Sequence, residues 1–282
     1  MHFWRIVDNV LYKVNDTDNL GFTINDPSYI PDEYLDDQKF CIMRTCHGIG
    51  DWGIISAMPR LLKEKYPKCT VQVPSEMMMN TIFGDNNTKH KMSNVIFKNN
   101  PYVDDFIDSV DGDVYHDHYR IYDDNNANTP LINQILKFWQ FDANEYVDNQ
   151  PEIYWTSDEK KLGNDIIDEY VGGGKFGCLL LSDRYDYKRN DMISKYLRLH
   201  RDIKWLYWTS KPLSEIDIYK PEFVLDMRHI DIRVQLYIKS KATLNLGSQT
   251  GMTQTVARYS NLLTIQRQFP IGSNYVKGEI YI

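Results

Sequence analysis

Two segments in opposite halves of the chain share one order of elements: an apolar strand, a turn that contains glycine, and an amphipathic helix. In the first half, residues 40–44 form the apolar run, the turn spans 48–53, and residues 54–66 carry apolar side chains at helical spacing. In the second half, the run at 242–246 leads through a small, polar turn into a helix at 250–259. Strands that alternate with helices predict parallel sheets covered by helices. The chain is therefore predicted to be an α/β protein with two Rossmann-like domains and a cleft between them.

The length of the chain fits this division, because 282 residues are natural for two domains of about 120–150 residues each. Further strands are predicted at 70–73, 95–97, 103–107, 176–181, 204–208, 223–225 and 262–266, and further helices at 77–83, 131–141, 191–200 and 232–239. Another helix runs from a cap at Thr156 or Ser157 to Tyr170. We predict an N-terminal extension at 1–39 (a β-hairpin or another ordered segment), a first domain at 40–150 and a second domain at 151–282.

The charge balance and the cysteines narrow the class of protein. The chain has 32 Lys and Arg against 39 Asp and Glu, a net charge of −7, whereas duplex-binding proteins usually carry a basic face. No stretch approaches the ~20 apolar residues of a membrane span, and the first residues show no secretory signal. The four cysteines form no Cys-x-x-Cys pair, which favours reduced, structural thiols in a cytoplasmic protein. A composition rich in Asn, Asp, Lys and Tyr is typical of an AT-rich genome, so a phage-infected bacterial host is one setting for it.

The first glycine turn matches the G-x-G-x-x-G pattern of dinucleotide sites between Gly48 and Gly53. Such a site also needs an acidic residue about 20 positions further on, and Glu76 lies too late. A carboxylate at Asp51 would repel a pyrophosphate. We therefore interpret the turn as one that presents Asp51 as a general base, with the alternative that Asp51 only caps the helix. His47, one turn away, is the second candidate for the base. The acceptor side is expected to include residues of this turn and two later histidines: His47, Gly48, Gly50, His116 and His118.

The second turn has the features of an anion site. Small residues, hydroxyl groups and backbone N–H groups meet there at the start of a helix, although Thr250 as a simple helix cap is the alternative. A loop that follows the strand at 176–181 adds two basic residues near the same sheet edge. The residues predicted to bind a phosphate-bearing donor are Ser182, Lys188, Arg189, Ser248, Gln249, Thr250, Gly251, Met252 and Thr253.

Four segments in order resemble the ADP-heptose–lipopolysaccharide heptosyltransferase family. Residues 41–67 are similar to its G-x-G-D turn and the helix that ends at Tyr-Pro, and residues 100–104 are similar to its Asn-Pro-Tyr-Val-Asp segment. Residues 151–159 resemble its interdomain passage, and residues 247–257 resemble its phosphate turn. The chain departs from the family in that phosphate turn: Gln249 and Gln254 stand where the family has Asp and His.

This resemblance implies a GT-B glycosyltransferase that needs no metal and no cofactor. The donor is a nucleotide diphosphate-sugar bound by the second half, and the acceptor is a hydroxyl of a glycan or of a modified base in phage DNA. Asp51 is then the base that removes the acceptor proton for direct, inverting attack. The residues at 250–253, with Lys188 or Arg189, are then the ligands of the departing diphosphate.

Other functions stay open at this point. The D-x-D tripeptide at 111–113 is the kind of motif with which GT-A enzymes hold a divalent ion, and His116, Asp117 and His118 follow it. A nucleotide-sugar or NAD-type oxidoreductase that uses the 48–53 turn is a second enzyme class. A GT-B protein that binds a nucleotide or glycan without catalysis is the non-enzymatic alternative, since Gln249 and Gln254 replace family residues. The oligomeric state is left open.

Overall fold

A computed structural model describes residues 2–7, 10–15, 39–42, 48–83, 92–108, 133, 148–182, 187–266 and 279–281. The chain divides into two compact units, one that reaches Tyr154 and a second that begins at Trp155. Among the described residues, no helix is long and apolar enough to cross a bilayer. The helix predicted at 131–141 lies outside these residues, apart from Asn133, which is helical.

The first unit contains a hairpin and a small parallel sheet. Strands β1 (His2–Val7) and β2 (Val10–Asn15) pair antiparallel, as predicted for the extension. Three parallel strands follow in the order β3-β4-β5: β3 (Lys39–Cys41), β4 (Thr70–Pro74) and β5 (Asp105–Ile107). The helices are α1 (Ile49–Gly53), α2 (Met58–Lys65), α3 (Glu76–Phe83) and α4 (Met92–Phe97).

The prediction of a continuous helix over 54–66 is wrong. The chain instead forms the short helix α1, a turn at 54–57, and the separate helix α2. Pro59 explains the break, because a proline lacks the N–H that would bond four residues back and its ring clashes with that carbonyl. Proline is tolerated in the first turn of a helix, where it lies in α2. The Ser56 hydroxyl also donates to the Gly53 carbonyl oxygen (2.6 Å), which favours the turn.

The strand predicted at 95–97 is also wrong, because these residues end helix α4. The buried positions in this segment are Ser93, Ile96 and Phe97, which have the spacing of one helical face. Three consecutive apolar residues are too short a run to separate a strand from a buried helix. The ring of Phe97 meets that of Trp52 edge to face at 6.1 Å, and this contact packs α4 against α1.

Residues 100–104, which resemble a family motif, serve the fold of the first unit. The Asn100 side-chain oxygen accepts the Tyr102 N–H (2.9 Å) and so fixes the turn. The Asp104 carboxylate accepts the Val71 N–H on β4 (2.7 Å) and pairs with the Lys63 ammonium on α2 (2.6 Å). One carboxylate therefore connects β5, β4 and α2.

The second unit is a six-stranded parallel sheet in the order β11-β10-β9-β6-β7-β8. Its strands are β6 (Phe176–Leu181), β7 (Lys204–Thr209), β8 (Phe223–Asp226), β9 (Leu244–Ser248), β10 (Asn261–Gln266) and β11 (Glu279–Tyr281). The helices are α5 (Ser157–Tyr170), α6 (Asn190–Leu199), α7 (Ile232–Lys241) and α8 (Gly251–Gln254). Strand β11 was not predicted, and the strand predicted at 242–246 begins and ends two residues later.

Residues next to each end of helix α5 determine where it begins and ends. The Thr156 hydroxyl accepts the Glu159 N–H and the Glu159 carboxylate accepts the Thr156 N–H, so Thr156 is the cap. The same carboxylate pairs with the buried Arg233 guanidinium of α7 at 2.7 Å. Gly172 and Gly173 adopt φ of +75° and +80°, which ends the helix as predicted.

Helix α7 holds a lysine in an apolar environment. The Lys239 side chain is fully buried, and its ammonium has no hydrogen-bond partner in the part of the chain that the structure describes. It packs beside the buried Cys178 of β6. Burial lowers the pKa of Lys239, and the neighbouring Cys178 raises it by a smaller amount.

We predict that Lys239→Met stabilises the protein at pH 7, by about 1–3 kcal/mol, because a buried charge without a partner is costly. The lowered pKa means that the folded state binds fewer protons than the unfolded state. Wild-type stability should therefore rise as pH increases towards about 10.4, the usual pKa of a lysine, and the variant should lose this rise.

Urea unfolding of the wild type and of Lys239→Met at several pH values measures their free energies of unfolding. Lys241→Met, at an exposed site on the same helix, is the control and should change little. A less stable Lys239→Met variant, or one that keeps the alkaline rise, would contradict this.

Candidate functional site

The strand order of the second unit's sheet changes direction at β6, in the middle of the sheet. Strand β6 lies between β7, which continues to β8, and β9, which continues to β10 and β11. In open α/β sheets, ligands bind outside the carboxyl ends of the strands at this point. The residues that follow β6 and β9 are Ser182 and Gln249, and β9 itself ends at Ser248.

A glycine permits the close approach of these two strand ends. Gly247 has φ of +152°, and a Cβ built on it would lie 1.9 Å from the Leu180 carbonyl oxygen on β6. Any side chain here would overlap the backbone of the neighbouring strand. With no side chain in the way, Ser248 reaches Ser182: their hydroxyl oxygens lie 3.2 Å apart, and the Ser182 N–H donates to the Ser248 hydroxyl at 3.3 Å. We call these two residues the serine pair.

The turn that follows the serine pair is only partly as predicted. The helix expected over 250–259 is reduced to the single turn α8, so its dipole is weaker than the sequence suggested. The Thr250 side chain makes no capping hydrogen bond to the backbone, and instead its hydroxyl lies 3.2 Å from that of Thr253. The Thr253 hydroxyl donates to the Thr250 carbonyl oxygen at 2.8 Å. Gln249 and Thr253 are buried, whereas Thr250, Gly251 and Met252 are half-buried.

The two predicted basic residues lie in a short 3₁₀ turn that precedes α6. Both side chains are exposed, and residues 183–186 before them lie outside the described part of the chain. The Arg189 guanidinium donates to the Ile265 carbonyl oxygen near the end of β10 at 3.1 Å. Arg189 is thus held at the carboxyl edge of the sheet, and Lys188 precedes it in the same turn.

Lys211 is a third cation at this edge, and it was not predicted from the sequence. It follows β7, and its ammonium lies 4.3 Å from the centre of the Tyr187 ring. The Tyr187 hydroxyl is within hydrogen-bond distance of the Ser210 hydroxyl (3.1 Å), which fixes the ring. Its position directly after a strand that neighbours β6 was the signal that could have identified Lys211 from the sequence.

In the first unit, Asp51 lies in the first turn of α1. Gly48 precedes the helix in an extended conformation, and the Asp51 carboxylate lies 2.7 Å from the position that a Cβ on Gly48 would occupy. Its side chain is half-buried, whereas Trp52 and Gly53 on the same helix are buried. A carboxylate directly over the glycine occupies the space where a pyrophosphate would approach. This geometry disfavours a dinucleotide site at the turn.

Several predicted site residues lie outside the described part of the chain. They are His47, His116 and His118, together with the D-x-D tripeptide at 111–113. Within the described ranges, no group of three or more His, Cys, Asp or Glu side chains could hold a metal ion. Cys41, Cys69 and Cys178 are buried and form no disulfide with one another.

Comparison with solved structures identifies the fold. The chain is similar to the glycosyl transferase family 9 protein of Veillonella parvula DSM 2008, with a TM-score of 0.60 and 9% sequence identity over 87% of this chain and 85% of that one. It is also similar to ADP-heptose lps heptosyltransferase II of E. coli, with a TM-score of 0.50 and 8% identity over 87% and 92% of the two chains. No family model matches the sequence, and no curated protein matches it. The predicted GT-B glycosyltransferase fold is confirmed.

Proposed function

We propose that this protein is an inverting glycosyltransferase that moves a sugar from a nucleotide diphosphate-sugar to a hydroxyl acceptor. The observation that carries the proposal is the serine pair at the point where the second unit's sheet changes direction. This is where open α/β sheets bind phosphate-bearing ligands. Two solved structures with a similar fold belong to glycosyltransferases, which supports the same class of reaction for this chain.

The donor binds against the second unit through its diphosphate. Hydroxyl groups of the serine pair and of Thr250 donate to the phosphate oxygens, and the backbone N–H groups of Gly251 and Met252 add to them. The Thr253 hydroxyl donates to the Thr250 carbonyl oxygen and so holds this turn in place. Arg189 supplies positive charge, since its anchor on β10 keeps the guanidinium at the sheet edge. Lys188 lies in the same 3₁₀ turn and is the second cation. Negative charge grows on the diphosphate as it departs, so donors placed in advance lower the barrier.

The acceptor binds against the first unit, near Asp51. The acceptor oxygen attacks the anomeric carbon and forms the new glycosidic bond as the bond from that carbon to the diphosphate oxygen breaks. The electron pair of the broken bond leaves with the nucleoside diphosphate, and the acceptor proton passes to the Asp51 carboxylate. One displacement inverts the anomeric configuration, and the chemistry requires no metal. The acceptor is a glycan hydroxyl or the hydroxyl of a modified base in phage DNA.

A protein that binds nucleotides or glycans without catalysis is the second candidate. Gln249 and Gln254 stand at positions where the resembled family has Asp and His, and both are almost fully buried. Neutral amides there change the charge beside the diphosphate. Catalytic turnover separates this candidate from the transferase, because both would bind the donor.

A thermal-shift panel of nucleoside diphosphates and nucleotide sugars tests donor binding. We expect one base to be preferred, and saturation to about 100 times the Kd should add about 2.7 kcal/mol to the free energy of unfolding. Ser248→Ala should weaken that binding about tenfold, because one phosphate hydrogen bond is lost. Ser214→Ala, an exposed serine in a 3₁₀ turn of the same unit, is the control and should keep wild-type affinity. No shift with any nucleotide, or an unaffected Ser248→Ala variant, would contradict the proposed site.

A further inference from the structure

The last segment of the first unit, residues 148–154, is bound to helix α2 through the half-buried Arg60. The Arg60 Nε donates to the Glu152 carboxylate at 3.0 Å, and Arg60 also bonds to the Asp148 carbonyl oxygen. The side chains of Arg60 and Glu152 are only 12% and 6% exposed. The Tyr154 hydroxyl donates to the other Glu152 oxygen at 3.1 Å. The Glu152 carboxylate is therefore held from two sides.

The same segment also contacts the turn between α1 and α2. The Glu152 N–H donates to the Ser56 hydroxyl oxygen at 2.7 Å, and that hydroxyl donates to the Gly53 carbonyl oxygen at 2.6 Å. Ser56 is fully buried. Gly53 is the last residue of α1, two positions after Asp51. A continuous series of hydrogen bonds thus runs from Arg60 through Glu152 and Ser56 to the helix that carries Asp51.

Helix α1 needs such support because it has only five residues. A helix of that length is unstable by itself, since the first turn fixes several residues for each hydrogen bond gained. Its buried side is held by the contact of Trp52 with Phe97. Its carboxyl end is held by the Ser56 hydroxyl. The direction of the Asp51 carboxylate depends on both contacts.

We propose that Ser56 and Glu152 are positioning residues for Asp51, which hold helix α1 in the orientation that the transfer step requires. This inference rests on the proposed function. A misplaced base loses rate in the chemical step, and a displacement of about 1 Å can cost roughly a hundredfold. Donor binding belongs to the second unit and does not depend on this network. The residues therefore affect kcat and leave the donor KM unchanged.

Steady-state transfer kinetics of Ser56→Ala and Glu152→Gln test the proposal, with the nucleotide sugar selected by the thermal-shift panel. We expect kcat to fall by about tenfold to a hundredfold in each variant, with the donor KM within about twofold of wild type. Glu64→Gln is the matched control: Glu64 also pairs with Arg60 at 3.0 Å, but on the exposed side, and it does not contact Ser56. It should keep the wild-type kcat.

Hydrogen exchange of the peptide that covers residues 49–56 gives a second readout that needs no substrate. Both variants should exchange faster there than wild type, and exchange at β6 and β9 should stay the same. If both variants keep wild-type kcat and wild-type exchange at 49–56, or if the donor KM rises in place of the kcat loss, the positioning role is wrong. If wild type transfers no sugar while exchange still increases at 49–56, the proposed function fails and the support of α1 by this network stands.

Discussion

Asp51→Asn should abolish sugar transfer while donor binding is unchanged. An amide keeps the shape of the carboxylate but cannot accept the acceptor proton, so we expect kcat to fall at least about a hundredfold. The fold should persist, because Asp51 is half-buried and the buried side of α1 is formed by Trp52 and Gly53. The rate of nucleoside diphosphate release in the presence of acceptor measures kcat. Calorimetry measures the donor Kd.

The control for this variant is Asp105→Asn, which removes one exposed carboxylate from β5 of the same unit. It should transfer at the wild-type rate. If Asp51→Asn keeps more than about half of the wild-type kcat, Asp51 is not the base, and His47 becomes the next residue to replace. A large fall in the donor Kd of Asp51→Asn, caused by removal of a carboxylate that repels a pyrophosphate, would place the donor at the 48–53 turn, as the oxidoreductase alternative requires.

Gly247→Ala should strongly destabilise the protein. The new Cβ would lie 1.9 Å from the Leu180 carbonyl oxygen, and the overlap involves the backbone of β6, which cannot rotate away. Strands β6 and β9 must separate, and their hydrogen bonds in the centre of the sheet weaken with them. We expect the free energy of unfolding to fall by about 4 kcal/mol or more. Any folded variant should also lose nucleotide binding, because the serine pair would move apart.

Gly174→Ala is the matched control for this variant, since a Cβ there meets no atom within 4 Å. Its stability should lie within about 0.5 kcal/mol of wild type. Denaturant unfolding and the nucleotide thermal shift measure both variants. A Gly247→Ala protein with wild-type stability and an unchanged nucleotide shift would contradict the close strand approach and its role in the site.

Most strands and helices of the second unit followed closely from the sequence; the exceptions are β11, the shifted β9 and the single turn α8. The strand at 176–181 was predicted with both ends correct, because six consecutive buried positions are bounded by a glycine run and a polar turn. Helix α5 followed from its capping residues and its terminal glycines. In these segments local chemistry and the buried surface favour the same structure, so the pattern alone was sufficient.

The first unit was harder to predict because tertiary contacts decide its local structure. The break before α2 depends on Pro59 and on the Ser56 hydroxyl, whose partner Glu152 lies almost a hundred residues later in the chain. Helix α4 replaces a predicted strand because its buried residues pack on Trp52. No local pattern carries information about partners so far away in sequence.

The motifs that carried the family resemblance turn out to have structural partners in the fold. Asp104 of the 100–104 segment connects two strands and α2, and Glu152 of the interdomain passage pairs with Arg60. The serine pair could be predicted only in part: both residues were expected to bind the donor, but their contact depends on the close approach at Gly247. Lys211 was missed because a single lysine after a strand is common in sequences.

The proposed function requires that the donor diphosphate binds at the serine pair of the second unit. Hydrogen exchange with and without a saturating nucleotide sugar, chosen as the one with the largest thermal shift, tests this directly. We expect slower exchange in peptides that cover residues 182 and 248–253. At a nucleotide concentration near the wild-type Kd, a Ser248→Ala variant should show clearly weaker protection there than the wild type. Protection confined to the 48–53 turn, or equal protection at 248–253 in the wild type and the variant, would contradict it.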